Sequence, residues 1–240
     1  MADNRIITVP REEIVFSKHT LEKLDEYCGE DDDLKEEWYR IVKEAVDHSF
    51  PKGMYSILPL TITDGVTDID GKVTKNAFVA EHLGEAGIHR VFPYIATASV
   101  ELLEWSKTVT DPILAYMLDQ LMNAVVGIAA MKTTQAIKNE FHIEGHFSFL
   151  SPGSVSAWTT SQGQPYLFDL LGGQPLVKET IGVTLTDTML MLPRKTVSSR
   201  GFETGEQNFQ MCTYCSMPDC PNRRAKSSVG IREKTAHKED

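Results

Sequence analysis

The stretch from Asp111 to about Phe141 constrains the fold of this chain most. Its apolar residues, among them Leu114, Met117, Leu118, Leu121, Val125 and Val126, recur at helical spacing but cover more than one stripe. A helix apolar on most of its sides is a central one, so the rest of the chain must wrap it. Asp111 suits the capping position, and Pro112 gives up an N–H that has no partner in a first helical turn. The apolar run from Ile113 to Met131 contains Asp119, Gln120 and Asn123. Those are costly in lipid and tolerable in a buried helix, so no membrane span is expected.

Around that helix the pattern mixes both periods. Residues 5–16 read as two short strands or a strand and a turn, broken by Pro10. Ser17 to Tyr27 reads as a helix, and so does Leu34 to Phe50, with Trp38, Ile41 and Ala45 on one face and Pro51 as its stop. The acidic run Glu30–Asp33 suits the N-terminal dipole of that second helix. Tyr55 to Thr63 reads as a strand and Asp64 to Lys72 as a turn. The latter only superficially resembles a calcium loop, because Lys72-Val73-Thr74-Lys75 supplies no closing acid. Phe78 to His82 reads as a short helix, Arg90 to Thr97 as a strand and Ala98 to Lys107 as a helix. Beyond the central helix, Ser151–Ser154 marks a turn and Tyr166–Leu171 a short helix stopped by Gly172. Ile181 to Leu192 reads as a strand and Pro193 to Ser198 as a second turn-rich block. Residues 1–210 are expected to form one domain and 211–240 a cysteine-containing tail whose last ten residues are mobile.

The net charge of −10 argues against nonspecific nucleic-acid binding, since a polyanion is repelled by most of such a surface. The N-terminal Met-Ala-Asp-Asn-Arg lacks an apolar signal core, which points to a cytoplasmic protein. Three of the four cysteines, Cys212, Cys215 and Cys220, fall within nine residues. Pro218, Pro221 and Asn222 make that segment a turn, the shape that wraps a metal. A Cys212–Cys215 or Cys215–Cys220 disulfide is the alternative, and a reducing compartment disfavours it. Three thiolates are one short of the usual set. Cys28, His142, His146 or His237 is a candidate for the fourth ligand, and Arg223 and Arg224 are candidates to neutralise the centre. No glycine-rich phosphate loop and no Gly-x-Ser-x-Gly elbow is present.

Several blocks occur in a particular order: Thr97 with Glu101, Leu118-Asp119, Ser151-Pro152-Gly153-Ser154, Trp158, Gln162 and Leu167–Gly172. Then come Ile181–Thr186, Met191-Leu192-Pro193 and Lys195-Thr196-Val197-Ser198. This ordered set, spanning about residues 85 to 224, resembles the activation domain of cobalamin-dependent methionine synthase. It is most similar to standalone relatives of anaerobes that carry a cysteine tail. The resemblance implies an α+β fold, a twisted antiparallel sheet flanked by helices, with one long central helix. It also implies a cobalamin-carrying partner, either a corrinoid protein or a corrinoid-dependent methyltransferase. In the family this domain binds S-adenosylmethionine and caps the corrinoid while its cobalt is remethylated. Cobalt that has lost an electron needs a low-potential electron and a methyl cation equivalent together.

On that resemblance Ser151, Pro152, Gly153, Ser154, Trp158, Lys195 and Ser198 are the candidate cofactor-binding residues, and no catalytic acid or base is assigned. Phe149 stands where the family places an arginine that contacts S-adenosylmethionine, Ser154 replaces a tyrosine, and Gly127 replaces an acid. Losing a guanidinium removes a strong charge-assisted contact. The expected function is an accessory role in a corrinoid methyl-transfer system, with an iron–sulfur cluster or zinc at Cys212, Cys215 and Cys220. The alternatives are a zinc-stabilised scaffold without chemistry and an S-adenosylmethionine-binding methyltransferase component.

Overall fold

A computed structural model describes residues 3–85, 87–205, 209–215, 217, 223 and 225–228. The N-terminal part runs β1 (Arg5–Thr8), α1 (Lys18–Asp25) and α2 (Asp32–Asp47). Four strands follow, β2 (Lys52–Tyr55), β3 (Leu58–Thr63), β4 (Val66–Ile69) and β5 (Lys72–Lys75), and then α3 (Ala77–Glu85). The middle comprises β6 (Arg90–Thr97), α4 (Val100–Ser106) and α5 (Pro112–Glu140). The remainder is β7 (His146–Leu150), α6 (Thr160–Leu170), α7 (Gln174–Ile181), β8 (Thr184–Leu185), β9 (Met191–Leu192) and β10 (Thr196–Gly205). A 3₁₀ turn at Met211–Tyr214 comes last among the described elements.

Helix starts follow the capping chemistry of the sequence. Ser17 accepts from the Thr20 N–H, Asp31 from Leu34 and Ser99 from Leu102. Asp111 accepts from Ile113 and Leu114, both at 2.9 Å, with Pro112 in the first turn as expected.

The main sheet is antiparallel and branches at β6. One edge of β6 pairs with β2 and then, past Ser56 and Ile57, with β3 at Leu58↔Val91. Its other edge pairs with β10 from Thr196↔Thr97 to Gly201↔Phe92. Beyond β10 lies β7, β1 flanks β2, and β3–β4–β5 form a meander. Alternation divides the sheet's two faces. Tyr55, Phe92 and Tyr94 pack with Ile137 of α5. Met54 and Ile95 point the other way, onto Phe168 of α6 and Val177 of α7. Each such fully buried apolar side chain contributes roughly 1.5–3 kcal/mol.

On its outer side α5 is covered by α1, α2 and α4, through a core that includes Leu24, Trp38, Ile41, Leu102, Leu121 and Val125. By length and composition α5 meets the requirement for a membrane span. Here it serves as the central core helix its pattern called for. The packing on β2 is close: a Cβ at Gly53 would lie 1.9 Å from Thr133 Oγ1.

Four expectations about local structure are corrected. Asp64–Lys72 is not one turn but two, flanking β4. Asp64-Gly65 and Asp70-Gly71 all have positive φ, and the registers Thr63↔Val66 and Ile69↔Lys72 leave two-residue hairpin loops. Ile181–Leu192 is not a strand. Ile181 ends α7, Gly182 takes the left-handed conformation, and only the β8–β9 pairs at Thr184↔Leu192 and Leu185↔Met191 are extended. The supposed turn block at Pro193–Ser198 opens β10, because Thr196 onward has strands on both sides to pair with. The helix read as Tyr166–Leu171 also begins earlier, at Thr160, behind a capping box of Thr159 and Gln162, and carries Pro165 within it.

Candidate functional site

The Ser151–Ser154 segment, directly after β7, folds into a tight double turn. Ser154 N–H donates to the Ser151 carbonyl, Trp158 N–H to Val155, and Gly153 N–H to the Trp158 carbonyl at 2.7 Å. Gly153 has φ +80°, which a side chain rarely tolerates. Pro152 and Trp158 both press on Gly163 of α6, where an added Cβ would lie 2.5 Å from Pro152 and 2.8 Å from Trp158. The turn is thus keyed to α6 by a missing side chain. Ser151 Oγ hydrogen-bonds Ser199 Oγ at 2.5 Å, joining the turn to β10.

Behind the turn, the α6-facing side of β10 presents Ser198, Arg200 and Phe202. Ser198 Oγ donates to Gln164 Oε1 at 2.8 Å. Arg200 has no solvent exposure. Its guanidinium carbon sits 4.8 Å from the Trp158 ring centroid and 5.4 Å from that of Tyr166. Its ladder partners are Pro93 and Leu150, neither with a polar side chain. Nε, Nη1 and Nη2 are all buried, and none has a hydrogen-bond partner among the described residues. Burial pulls the guanidinium pKa down to about 10 from its ordinary 12.5.

Of the candidate residues, Ser151, Pro152, Gly153, Ser154, Trp158 and Ser198 therefore gather around α6 and β10. Lys195 does not join them. Its ammonium is held by Asp119 Oδ2 at 2.8 Å and Asn123 Oδ1 at 2.9 Å, both on α5. Arg200, Tyr166 and Gln164 were missed by sequence reasoning. The available signal was the period-two series Ser198, Arg200, Phe202, visible only once the segment is read as a strand.

The cysteine segment lies beside the same turn. Ser148 Oγ of β7 donates to the Phe209 carbonyl, and the Ser151 N–H meets Met211 Sδ at 3.3 Å. Phe209 and Tyr214 join Phe78 and His82 of α3 in a ring cluster with centroids 4.2–5.5 Å apart. A cavity of about 150 Å³ opens between β7 and this segment, lined by Phe147, Ser148, Phe149, Phe209, Gln210, Met211 and Cys212.

Cys212 and Cys215 are half-buried free thiols, the first on the 3₁₀ turn and the second just past its end, where the Cys215 N–H donates to the Cys212 carbonyl. Arg223 braces their loop by donating to the carbonyls of Cys212, Met217 and Ala225. Ser227 Oγ donates to the Cys215 carbonyl and Ser228 to Thr213. Nη1 and Nη2 of Arg223 therefore serve backbone oxygens, while its buried Nε has no hydrogen-bond partner among the described residues. Cys220, Arg224 and His237 lie outside the described residues. Among the described residues no group of three His, Cys, Asp or Glu side chains is placed to hold a metal. Cys212 and Cys215 are soft ligands by chemistry, and they are the two described cysteines of the segment. Cys28 is unsuited as the fourth ligand, because it is buried in the α1–α2–α5 core and burial raises its thiol pKa. His142 and His146 are both exposed, with His146 paired to Gly205 at the start of β7.

No protein-family model and no curated protein matches the sequence. Among solved structures, the MetH reactivation domain bound to AdoHcy matches with a TM-score of 0.62. The match covers 87% of this chain and 81% of that one, at 13% sequence identity. This chain has the fold of the MetH reactivation domain. The α+β class, the antiparallel sheet flanked by helices and the long helix all agree with that fold. Within it the Ser151–Ser154 turn, Trp158 and Ser198 meet around α6, while Lys195 stands apart against α5.

Proposed function

We propose that this chain is an accessory protein of a corrinoid-dependent methyl-transfer system. It docks on a corrinoid protein and supports reductive reactivation of the cobalt, using a centre held by Cys212, Cys215 and Cys220. The observation that carries this reading is the shared fold with the MetH reactivation domain over most of both chains. The spatial meeting of the Pro-Gly turn, Trp158 and Ser198 at one end of α6 supports it. So does the position of Cys212 beside the β7 cavity, next to that turn.

An iron–sulfur cluster at the three cysteines would supply single electrons at low potential. The chain's own residues hold that loop in place: Arg223 ties Cys212 to Met217, and the Phe209–Tyr214 rings fasten the segment to α3. A fastened donor site keeps the electron path short and constant.

The test is purification without oxygen, followed by metal analysis and by visible and electron spin resonance spectra, with and without added cobalamin. Iron with cluster spectra, and cobalt reduction lost when all three cysteines become serine, is the expected result. Stoichiometric zinc without iron would instead make the chain a docking scaffold. Unchanged metal content and unchanged cobalt reduction in the triple variant would end the redox role.

A further inference from the structure

A fully buried arginine without an acceptor is costly. Its five N–H groups are removed from water and receive nothing in return. Natural interiors satisfy nearly all such groups, so an orphan of this kind calls for a partner outside the chain. The Trp158 and Tyr166 rings, with centroids 4.8 and 5.4 Å from the Arg200 guanidinium carbon, offer π-faces and no acceptor oxygen or nitrogen. The guanidinium edge carries the donors, and Nε, Nη1 and Nη2 all lack acceptors among the described residues. This is notable in a chain with 34 acidic and 24 basic residues. Acids are plentiful, yet among the described residues none is hydrogen-bonded to this cation.

We propose that Arg200 is the anchor of a binding site for a small ligand bearing a carboxylate, which lies edge-on to the guanidinium between β10 and α6. A planar fork of N–H donors matches the two oxygens of a carboxylate. Packing against Trp158 and Tyr166 holds the guanidinium in place before the ligand arrives, as a pre-organised site requires. Entry runs past Tyr166. Trp158 is 1% exposed, whereas Tyr166 is half-buried, and its hydroxyl donates to the Lys72 carbonyl at 2.9 Å. Nearby, Asn76 Nδ2 donates to the Ala157 carbonyl. These two hydrogen bonds hold the β4–β5 hairpin and the residue after it against the clamp, and their release opens the way. The Ser151 N–H, now facing only a thioether sulfur, is a second donor at the same turn, poorly used by its present partner.

Taking the ligand to be an S-adenosyl amino acid rests on the function proposed above together with the AdoHcy bound to the MetH reactivation domain; the need for a carboxylate does not. The experiment is calorimetric titration with S-adenosylhomocysteine and with its decarboxylated analogue, alongside thermal shifts in acetate, succinate and citrate. The wild-type chain, Arg200→Met and Arg200→Lys are compared. Wild type should prefer S-adenosylhomocysteine over the decarboxylated analogue by roughly tenfold to a hundredfold, the range of a charge-assisted contact. That comparison needs no variant. Arg200→Met should lose the preference while melting no lower than the ligand-free wild type, because it removes an unpaired buried charge. Arg200→Lys, charged but without the fork, should lose most of it. If S-adenosylhomocysteine does not bind while another carboxylate raises the melting temperature only when Arg200 is present, the anchor stands and the S-adenosyl identification falls. Equal response of wild type and Arg200→Met to every carboxylate tried overturns the anchor itself.

Discussion

Single side chains tie α5 to the sheet. At its C-terminal end Glu140 accepts from the Tyr55 hydroxyl at 2.5 Å and from Arg5 Nε at 2.7 Å. The Tyr55 hydrogen bond first, and then Arg5, hold the Glu140 carboxyl below its ordinary pKa of 4.5. A carboxyl depressed in the folded state adds stability that is complete above the unfolded pKa and is lost as pH falls through the folded one. Urea midpoints measured between pH 6 and pH 3 should therefore fall less for Glu140→Gln than for wild type. The difference should be under about 1 kcal/mol, since the carboxylate is about a third exposed. Parallel curves would show that the contact contributes nothing to folding. Some of this scale could be read from sequence, as Asp111-Pro112 and Ser17 show. Arg200 could not be. Its clamp comes from positions 158 and 166, its ladder partners are Pro93 and Leu150, and no local pattern joins those positions.

Among the elements, α6 best shows where pattern reading stops. Thr159 and Gln162 are correctly spaced for a capping box, yet the sequence reads as a helix only from Tyr166, the residue after Pro165. The structure keeps the helix intact through that proline because Leu167, Phe168 and Leu170 are buried behind it. Removing the cap with Thr159→Ala should cost about 1 kcal/mol of global stability by chemical denaturation. It should also weaken ligand binding near Trp158, since the turn and the helix share the Gly153–Thr160 contact. A variant as stable as wild type would mean that α6 is held by packing alone. The hairpins tell a similar story. Asp64-Gly65 and Asp70-Gly71 are each a hairpin-turn signal, and reading the stretch as a single turn passes over the four residues of β4 between them. For β10 the local signal was weak, since Ser198, Ser199 and Arg200 do not alternate in polarity, and the strand is fixed by its neighbours β6 and β7.

At the scale of the whole molecule, the central helix and the α+β class were legible, because an apolar stretch as long as α5 leaves few alternatives. The branching of the sheet was not, since β6 meets partners from both ends of the chain, β2 and β3 before it and β10 about a hundred positions later. A polypeptide ending at residue 195 should accordingly lack the near-ultraviolet circular dichroism of the full chain and bind a hydrophobic dye. Native-like spectra from that fragment would show that β10 is dispensable.

The late arrival of β10 also bears on how the protein is made. While the ribosome is still working through the region between α5 and β10, β6 presents a bare row of backbone donors and acceptors to its surroundings. Nascent chains are therefore at their most adhesive during that interval. Closing so distant a pair is slow, and synthesis at low temperature or low expression level should favour soluble product.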